Sequence, residues 1–333
     1  MKTKLVRALV VLAIGLLLTP ASDAQQASKL PRVGVLHAGS SKEAVTIQRE
    51  PFERGLRELG WMPGSNVLVD YRYAEGSAAR LAELAVDLVR SRVDVTVARG
   101  ESAIDAARQA TTTIPIVMSA RAGDPVADGL VKNLSRPGGN ITGITTLVWD
   151  LDGKRLELLK EAFPWIRRVA VLANPNFHAG RYEQHVTALQ GMARSLTLQL
   201  EVFEVTRPEE IAGVFAAIGR ARVDALLVRG DPHVLDHNRR EVAAMAAKHR
   251  LPAIYPWRFF AEAGGLMSYG TSLPGFHHRS ATYVSRILRG ANPGDLPIEQ
   301  PTNFELVVNV AAAKAQGLTI PQSVLFRADQ VIQ

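Results

Sequence analysis

Arg32-Val-Gly-Val-Leu-His-Ala-Gly39 returns as Arg168-Val-Ala-Val-Leu-Ala-Asn-Pro175, and Arg92-Val-Asp-Val-Thr-Val-Ala-Arg-Gly100 returns as Arg222-Val-Asp-Ala-Leu-Leu-Val-Arg-Gly230. Between the members of each set lies a further strand candidate, Asn66-Val-Leu-Val-Asp-Tyr71 or Leu198-Gln-Leu-Glu-Val-Phe203. After them come Ile114-Pro-Ile-Val-Met-Ser119 and Leu251-Pro-Ala-Ile-Tyr-Pro256. The four offsets, 136, 132, 130 and 137 residues, barely drift. Short apolar, β-branched runs alternating with helical patterns read as parallel strands covered by helices. Two such series predict two similar α/β lobes facing each other across a cleft.

The amino terminus reads as an export signal. Lys2, Lys4 and Arg7 precede an apolar run from Ala8 to Leu18, and Ser22-Asp-Ala24 offers a small-residue cleavage site. That run is well short of the roughly twenty residues a spanning helix needs. The sequence has no cysteine, which excludes disulfides, thiolate metal sites and a lipid anchor attached through a Cys at the cleavage site. Without residues 1–24 the chain loses three basic residues and one acid, leaving 36 Lys+Arg against 31 Asp+Glu and a charge of +5. The basic residues interleave with acids, as in Glu241 to Arg250, so no nucleic-acid stripe is expected. A mature chain of about 310 residues exceeds one compact core.

Pro137-Gly-Gly-Asn-Ile-Thr-Gly143 interrupts the first series, which places an interlobe crossing around Thr142 to Val148. Gly264-Gly-Leu-Met-Ser-Tyr-Gly270 marks a second crossing, followed by a helix over 275–289 and a last strand from Phe304. The expected partition is a signal peptide over 1–24, a first lobe from 31–143 plus 267–297, and a second from 144–266 plus 298–333. Several short segments crossing together form a hinge that lets rigid lobes close on a ligand.

In open parallel sheets, ligands sit beyond the C-terminal strand ends, where helix N-termini present free N–H groups. Those loops carry Ser40 and Ser41, Arg99, Glu101 and Ser102, Arg121 and Asp124 in the first series. In the second they carry Asn174, Arg229 and Asp231, and Tyr255 with Trp257. Hydroxyls and glycines at helix starts suit carboxylate capture and a loop Asp suits an ammonium, with plain helix capping as the competing role. Tyr255 and Trp257 are the leading candidates for a stacking wall, against core packing.

Signatures of catalysis are scarce. His37-Ala-Gly39 supplies one glycine of a dinucleotide fingerprint, and there is no phosphate loop and no Gly-x-Ser-x-Gly elbow. His233 and His237 could share a helical face, but no Glu stands beside His233 and no third ligand follows, which favours surface or capping roles. His277 and His278 are adjacent and point apart on a helix. No metal, no cofactor and no enzymatic activity are expected.

The chain resembles the tryptophan-transporter-like family of ABC-importer substrate-binding proteins, of the type I periplasmic binding protein fold. The likeness runs from Arg32 to Ile332 through Gly55-Leu-Arg-Glu-Leu-Gly-Trp61, Tyr71-Arg-Tyr-Ala-Glu-Gly76, Thr111-Thr-Thr-Ile-Pro-Ile-Val117, Gly123-Asp-Pro-Val126 and Ser135-Arg-Pro-Gly-Gly-Asn-Ile-Thr-Gly143. It continues through Gly153-Lys-Arg-Leu-Glu-Leu-Leu-Lys160, Glu262-Ala-Gly-Gly-Leu-Met-Ser-Tyr-Gly270, Glu299-Gln-Pro-Thr-Asn-Phe-Glu-Leu-Val307 and Gly317-Leu-Thr-Ile-Pro321. The resemblance implies two Rossmann-like (flavodoxin-like) lobes with a multi-strand hinge. It also implies an exported monomer that captures a small solute and delivers it to an ABC permease driven by its ATPase. Site positions carried over are Ser40-Ser41, Glu101-Ser102, the loop at Asp124, and Asp231 across the cleft.

This chain departs from the family pattern at Gly100-Glu-Ser102, where Gly-Thr-Pro is commoner, and at Arg99, Arg121 and Arg229, where apolar or small residues are usual. The Arg121 loop also looks about one residue longer than usual. Arginines facing the cleft would favour an anionic ligand. The competing reading pairs them with Glu101, Asp124 and Asp231 or turns them to solvent. A ligand-sensing protein that feeds a membrane receptor would share the fold. A periplasmic enzyme would need a titratable pair such as Glu101 with His37.

Overall fold

The structure is a computed structural model that describes residues 29–39, 45–177, 181–231 and 234–333. The chain divides into a leading segment, Met1–Leu30, and a body, Pro31–Gln333. The expected signal peptide, Ser40, Ser41 and His233 lie outside the described residues. No helix among the described residues is long and apolar enough to cross a membrane.

The first sheet contains β1 (Arg32–His37), β2 (Leu68–Tyr73), β3 (Val95–Arg99), β4 (Ile116–Arg121) and β5 (Ile141–Thr145), all parallel in the order β2-β1-β3-β4-β5. Their sequences are short and apolar because both faces are covered. Val33, Val95, Val97 and Val117 pack toward α1 (Glu50–Glu58) and α9 (Leu273–Leu288). Leu36, Ala98, Ile116 and Met118 pack toward α2 (Ala78–Arg90) and α3 (Glu101–Ala110). The period of two along each strand thus sorts residues between two cores.

The second sheet repeats the plan with β6 (Arg168–Ala173), β7 (Gln199–Glu204), β8 (Ala225–Val228), β9 (Ala253–Tyr255) and β10 (Met267–Gly270) in the order β7-β6-β8-β9-β10. β11 (Glu305–Asn309) then joins β10 antiparallel, and β12 (Gln330–Ile332) joins β11. Around this sheet pack α4 (Asp152–Ala162), α5 (Tyr182–Ser195), α6 (Ile211–Arg220), α7 (Arg239–Lys248), α8 (Arg258–Glu262), α10 (Val310–Ala315) and α11 (Gln322–Arg327). Val169, Val171, Leu227 and Ile254 fill one face and Ala170, Leu172, Leu226 and Val228 the other.

The repeat reaches the backbone. Arg92 and Arg222 both adopt left-handed φ, +52° and +53°. Two residues on, Asp94 accepts the Arg32 amide at 2.7 Å, and Asp224 accepts those of Arg167 and Arg168 at 2.7 and 2.8 Å. Each carboxylate fastens the start of the first strand in its lobe.

The first crossing falls within the range the sequence gives, and the second falls later. Ile141–Thr145 is the fifth strand of the first sheet and Met267–Gly270 the fifth of the second, so residues 267–270 stay with the second lobe. The glycines read as breakers mark close approach instead. A β-carbon on Gly143 would collide with the Met118 carbonyl, and one on Gly270 with that of Pro256. Thr145–Val148 and Thr271–Ser272 make the first two crossings. The third begins at Glu299, whose amide donates to Gly143 O and whose carbonyl accepts the Thr145 amide, both at 2.9 Å.

Candidate functional site

The two lobes meet at their C-terminal strand ends. A space of about 20 Å³, the size of one water, is lined by Arg99 and Gly100 from the first lobe and by Gly230, Asp236 and Trp257 from the second, with Thr146 from the crossing. The repeated triplets Arg99-Gly-Glu101 and Arg229-Gly-Asp231 therefore meet here at their glycines. Beside this space a groove of about 330 Å³ runs between Asp124 on one lobe and Trp149, Arg181, His185 and Met192 on the other side, with Arg229 also in its wall.

The acids of the triplets bind backbone amides of their own lobes. Glu101, 3% exposed, accepts the amides of Ala122 and Gly123 at 2.6 and 3.1 Å; burial raises its pKa, against which Arg121 and these amides act. Asp231 accepts the amides of Val234 and Leu235 at 3.0 and 3.2 Å and the Asn174 side-chain amide at 3.1 Å. Asn174 in turn accepts the Asn176 amide. Asp124 accepts the amides of Val126 and Ala127 at 2.8 and 3.2 Å. Asp231 and Asp124 hold amides of the turns they open, and Glu101 fastens the loop after β4 to the start of α3. Ser102 sits half-buried in the first turn of α3.

The arginines find other partners than Glu101, Asp124 and Asp231. Arg121, 1% exposed, donates to Asp128 at 2.5 Å, and the other oxygen of Asp128 accepts Arg181, just before α5, at 2.9 Å, across the cleft. Arg229 donates to Asp152 at 2.7 Å, and Asp152 also accepts Arg155 at 2.6 Å. Arg155 further holds the crossing through the carbonyls of Val148 and Tyr269 at 2.6 and 2.8 Å. Two N–H groups of Arg121 and one each of Arg155 and Arg229 remain buried without a partner.

Arg99 is different. No carboxylate among the described residues comes within ion-pair distance of it, and burial lowers its pKa to about 10, against the pull of Asp236. Its Nη1 lies 2.8 Å from His37 Nε2, while His37 Nδ1 accepts the Gly39 amide at 2.8 Å. A neutral imidazole that accepts at Nδ1 carries its proton on Nε2. The Arg99 guanidinium thus lies against the imidazole edge of His37. Opposite, Asp236 accepts the Trp257 indole N–H at 3.0 Å. Burial first, and then Asp231, push its carboxyl up to about 7.

Tyr255, expected at a stacking wall, lies in the second-lobe core. It is fully buried and stacks on Phe260 at 4.8 Å, because its side chain falls on the helix-covered face of the sheet. Two residues on, past the strand end, Trp257 reaches the cleft. Sequence reasoning missed Asp128, Arg181, Asp152 and Asp236, which lie on helix starts and loops rather than at strand ends. Arg155 lies inside the quoted Gly153–Lys160 motif and was legible only as part of it. Among the described residues no three His, Cys, Asp or Glu side chains cluster as a metal site.

Residues 33–332 match the ABC transporter substrate binding protein family. The chain is 25% identical over 267 residues to a tyrosine-binding protein of Clostridioides difficile, covering 80% of this chain and 75% of the relative. It is similar to a conserved domain protein of Vibrio cholerae (TM-score 0.82, 28% identity, 91% of this chain and all of that one). It is also similar to an ABC domain of Streptococcus pneumonia in complex with L-Trp (TM-score 0.81, 27% identity, 91% of this chain and all of that one). With its paired parallel sheets, its hydrogen-bonded hinge and this match over almost the whole body, the chain belongs to the ABC transporter substrate-binding proteins, which take up a small solute between two lobes for an ABC importer.

Proposed function

We propose that the solute is amino-acid-like, with its carboxylate on Arg99 of the first lobe and its ammonium toward Asp236 of the second. One observation carries this reading: Arg99, buried and lacking a carboxylate partner among the described residues, lines the same small space as Asp236. A carboxylate would pair with the buried Arg99 and an ammonium would relieve a buried acid. The charge balance around the cleft favours a zwitterion over a polyanion. Arg99, Arg121, Arg155, Arg181 and Arg229 are matched by Glu101, Asp128, Asp152, Asp231 and Asp236, so the arginine-rich appearance of the sequence is neutralised. Trp257 beside Asp236 offers an apolar wall, and relatives named for tyrosine or bound to L-Trp support the class.

In this reading the protein is a monomer exported to the periplasm after cleavage near Ala24, and it hands its solute to a permease powered by an ATPase. Titration calorimetry with L-tyrosine, L-tryptophan and dicarboxylates tests the solute class. Amino acids should bind and Arg99→Ala should weaken them by at least tenfold. Tighter binding of dicarboxylates, or an Arg99→Ala variant with wild-type affinity, overturns it.

A further inference from the structure

The groove of about 330 Å³ is separate from the small space that holds Arg99 and Asp236, and no residue lines both. Neighbours along the chain divide between them: Ala122, Val148 and Gly230 line the small space, whereas Gly123, Trp149 and Arg229 line the groove. The groove is thus set apart from the cleft by the loop after β4 and by the first crossing. Its volume falls within the roughly 300–1,000 Å³ of small-molecule sites.

The base of the groove is cationic and incompletely satisfied. Arg229, 1% exposed, donates from Nε to Asp152 at 2.7 Å. Asp152 also lines the groove, which puts the guanidinium end of Arg229 at the wall. The other oxygen of Asp152 accepts Arg155 at 2.6 Å, so one carboxylate serves two arginines. Arg229 Nη1 is buried with no hydrogen-bond partner. A charged donor left so is costly, and the acceptor that best suits a guanidinium is a carboxylate. Arg181, also in the wall, is engaged by Asp128 and Gln184. Burial, and then Arg229 and Arg181, lower the pKa of His185, so it adds no further cation at neutral pH.

The rim carries the opposite charge. Asp124 and Asp150 line it and are exposed, and no cation among the described residues comes within ion-pair distance of Asp150. Partial burial, and then Asp152 and Asp124, hold the Asp150 carboxyl above its ordinary pKa. An ammonium would relieve that repulsion. Trp149, Leu189 and Met192 add an apolar flank.

The geometry points to a second binding site in this groove, apart from the Arg99–Asp236 cleft, for a zwitterion with an apolar body. Its carboxylate accepts from Arg229 Nη1, its ammonium sits at Asp150 and Asp124, and its aliphatic part lies along Trp149 and Met192. Asp124 belongs to the first lobe and Arg229 to the second, so the occupant touches both.

Equilibrium dialysis of the mature protein against L-norleucine, hexanoate and pentylamine tests the site. Hexanoate lacks the ammonium and pentylamine the carboxylate. In the groove, pentylamine should bind about tenfold or more weakly than L-norleucine, for loss of a charge-assisted hydrogen bond, and hexanoate about fivefold more weakly. Ala188→Phe fills the groove from the exposed side of α5 and should bind one equivalent of L-norleucine fewer than wild type. Arg99→Ala should keep the equivalent that Ala188→Phe loses. Asp150→Asn, a milder change on the rim, should weaken L-norleucine there by about twofold to fivefold and should not weaken hexanoate. Wild type that binds no more equivalents than Ala188→Phe overturns the site, and hexanoate that binds the groove as tightly as L-norleucine overturns its class. Neither result bears on the solute reading, which fails only on the cleft titrations of Arg99→Ala and of the dicarboxylates.

Discussion

At the scale of single residues, Asp236 makes a prediction that Arg99 does not. Its folded-state pKa of about 7 lies above the ordinary 3.8 of an aspartate, because burial and Asp231 disfavour the charge. The folded form therefore binds the proton more tightly than the unfolded chain. The contribution to stability is complete below about pH 4 and is lost as pH rises toward and through 7, amounting to about 4 kcal/mol at most. Thermal unfolding without solute should show the melting temperature falling between pH 5 and 8, and Asp236→Asn should flatten that fall. An ammonium seated opposite Asp236 favours its charged form. Amino acid binding near pH 7 should then release a proton, seen as a heat that depends on the ionisation enthalpy of the buffer. The Asp236→Asn variant should release none.

At the scale of elements, β4 departs from regular strand pairing. The pairing of β4 with β5 shifts register between Met118 and Arg121, and Ala120 takes φ +64° within that bulge. The chain leaves the bulge with Arg121 buried against Asp128. Left-handed backbone costs an L-residue roughly 1–2 kcal/mol, while a glycine there costs roughly 0.5–1 kcal/mol more chain entropy on folding. Ala120→Gly should therefore change stability by less than about 1 kcal/mol, whereas Ala120→Val, β-branched and nearly buried, should destabilise by more than about 2 kcal/mol in urea unfolding.

The same strand marks the limit of what the sequence discloses. Strand identity and order were legible because apolar runs recur at nearly constant offset, and Arg92-Val-Asp94 and Arg222-Val-Asp224 even preserve φ and capping. The second crossing was placed too early because glycine has two meanings, chain breaking and close packing, and Gly270, like Gly143, has the second. The strand-end loops were legible as the cleft, but the partner of each arginine was not. Asp128 and Asp152 come from a loop and a helix start that no local pattern ties to Arg121 or Arg229.

At the scale of the molecule, one carboxylate joins the lobes. Asp128 leaves the first lobe and is held on one oxygen by Arg121 behind it and on the other by Arg181 of the second lobe. Arg121 is 1% exposed and cannot follow the second lobe when the cleft opens, so opening breaks the Arg181 contact and keeps the Arg121 contact. The bridge thus belongs to the closed arrangement, and it biases the open–closed equilibrium without needing to touch solute. Arg181 is about one-third exposed, so its share is that of a screened ion pair, about 1 kcal/mol or less. Arg181→Ala should weaken solute affinity by up to about fivefold, mainly through faster dissociation, and leave the melting temperature without solute within about 2 °C of wild type. Asp128→Asn also unpairs the buried Arg121, so it should lower both affinity and melting temperature. Small-angle scattering separates the two effects. Without solute, Arg181→Ala should be more open than wild type, and at saturating solute it should return to the wild-type radius of gyration. An Arg181→Ala protein as compact as wild type in both conditions would show that the bridge exerts no control over closure.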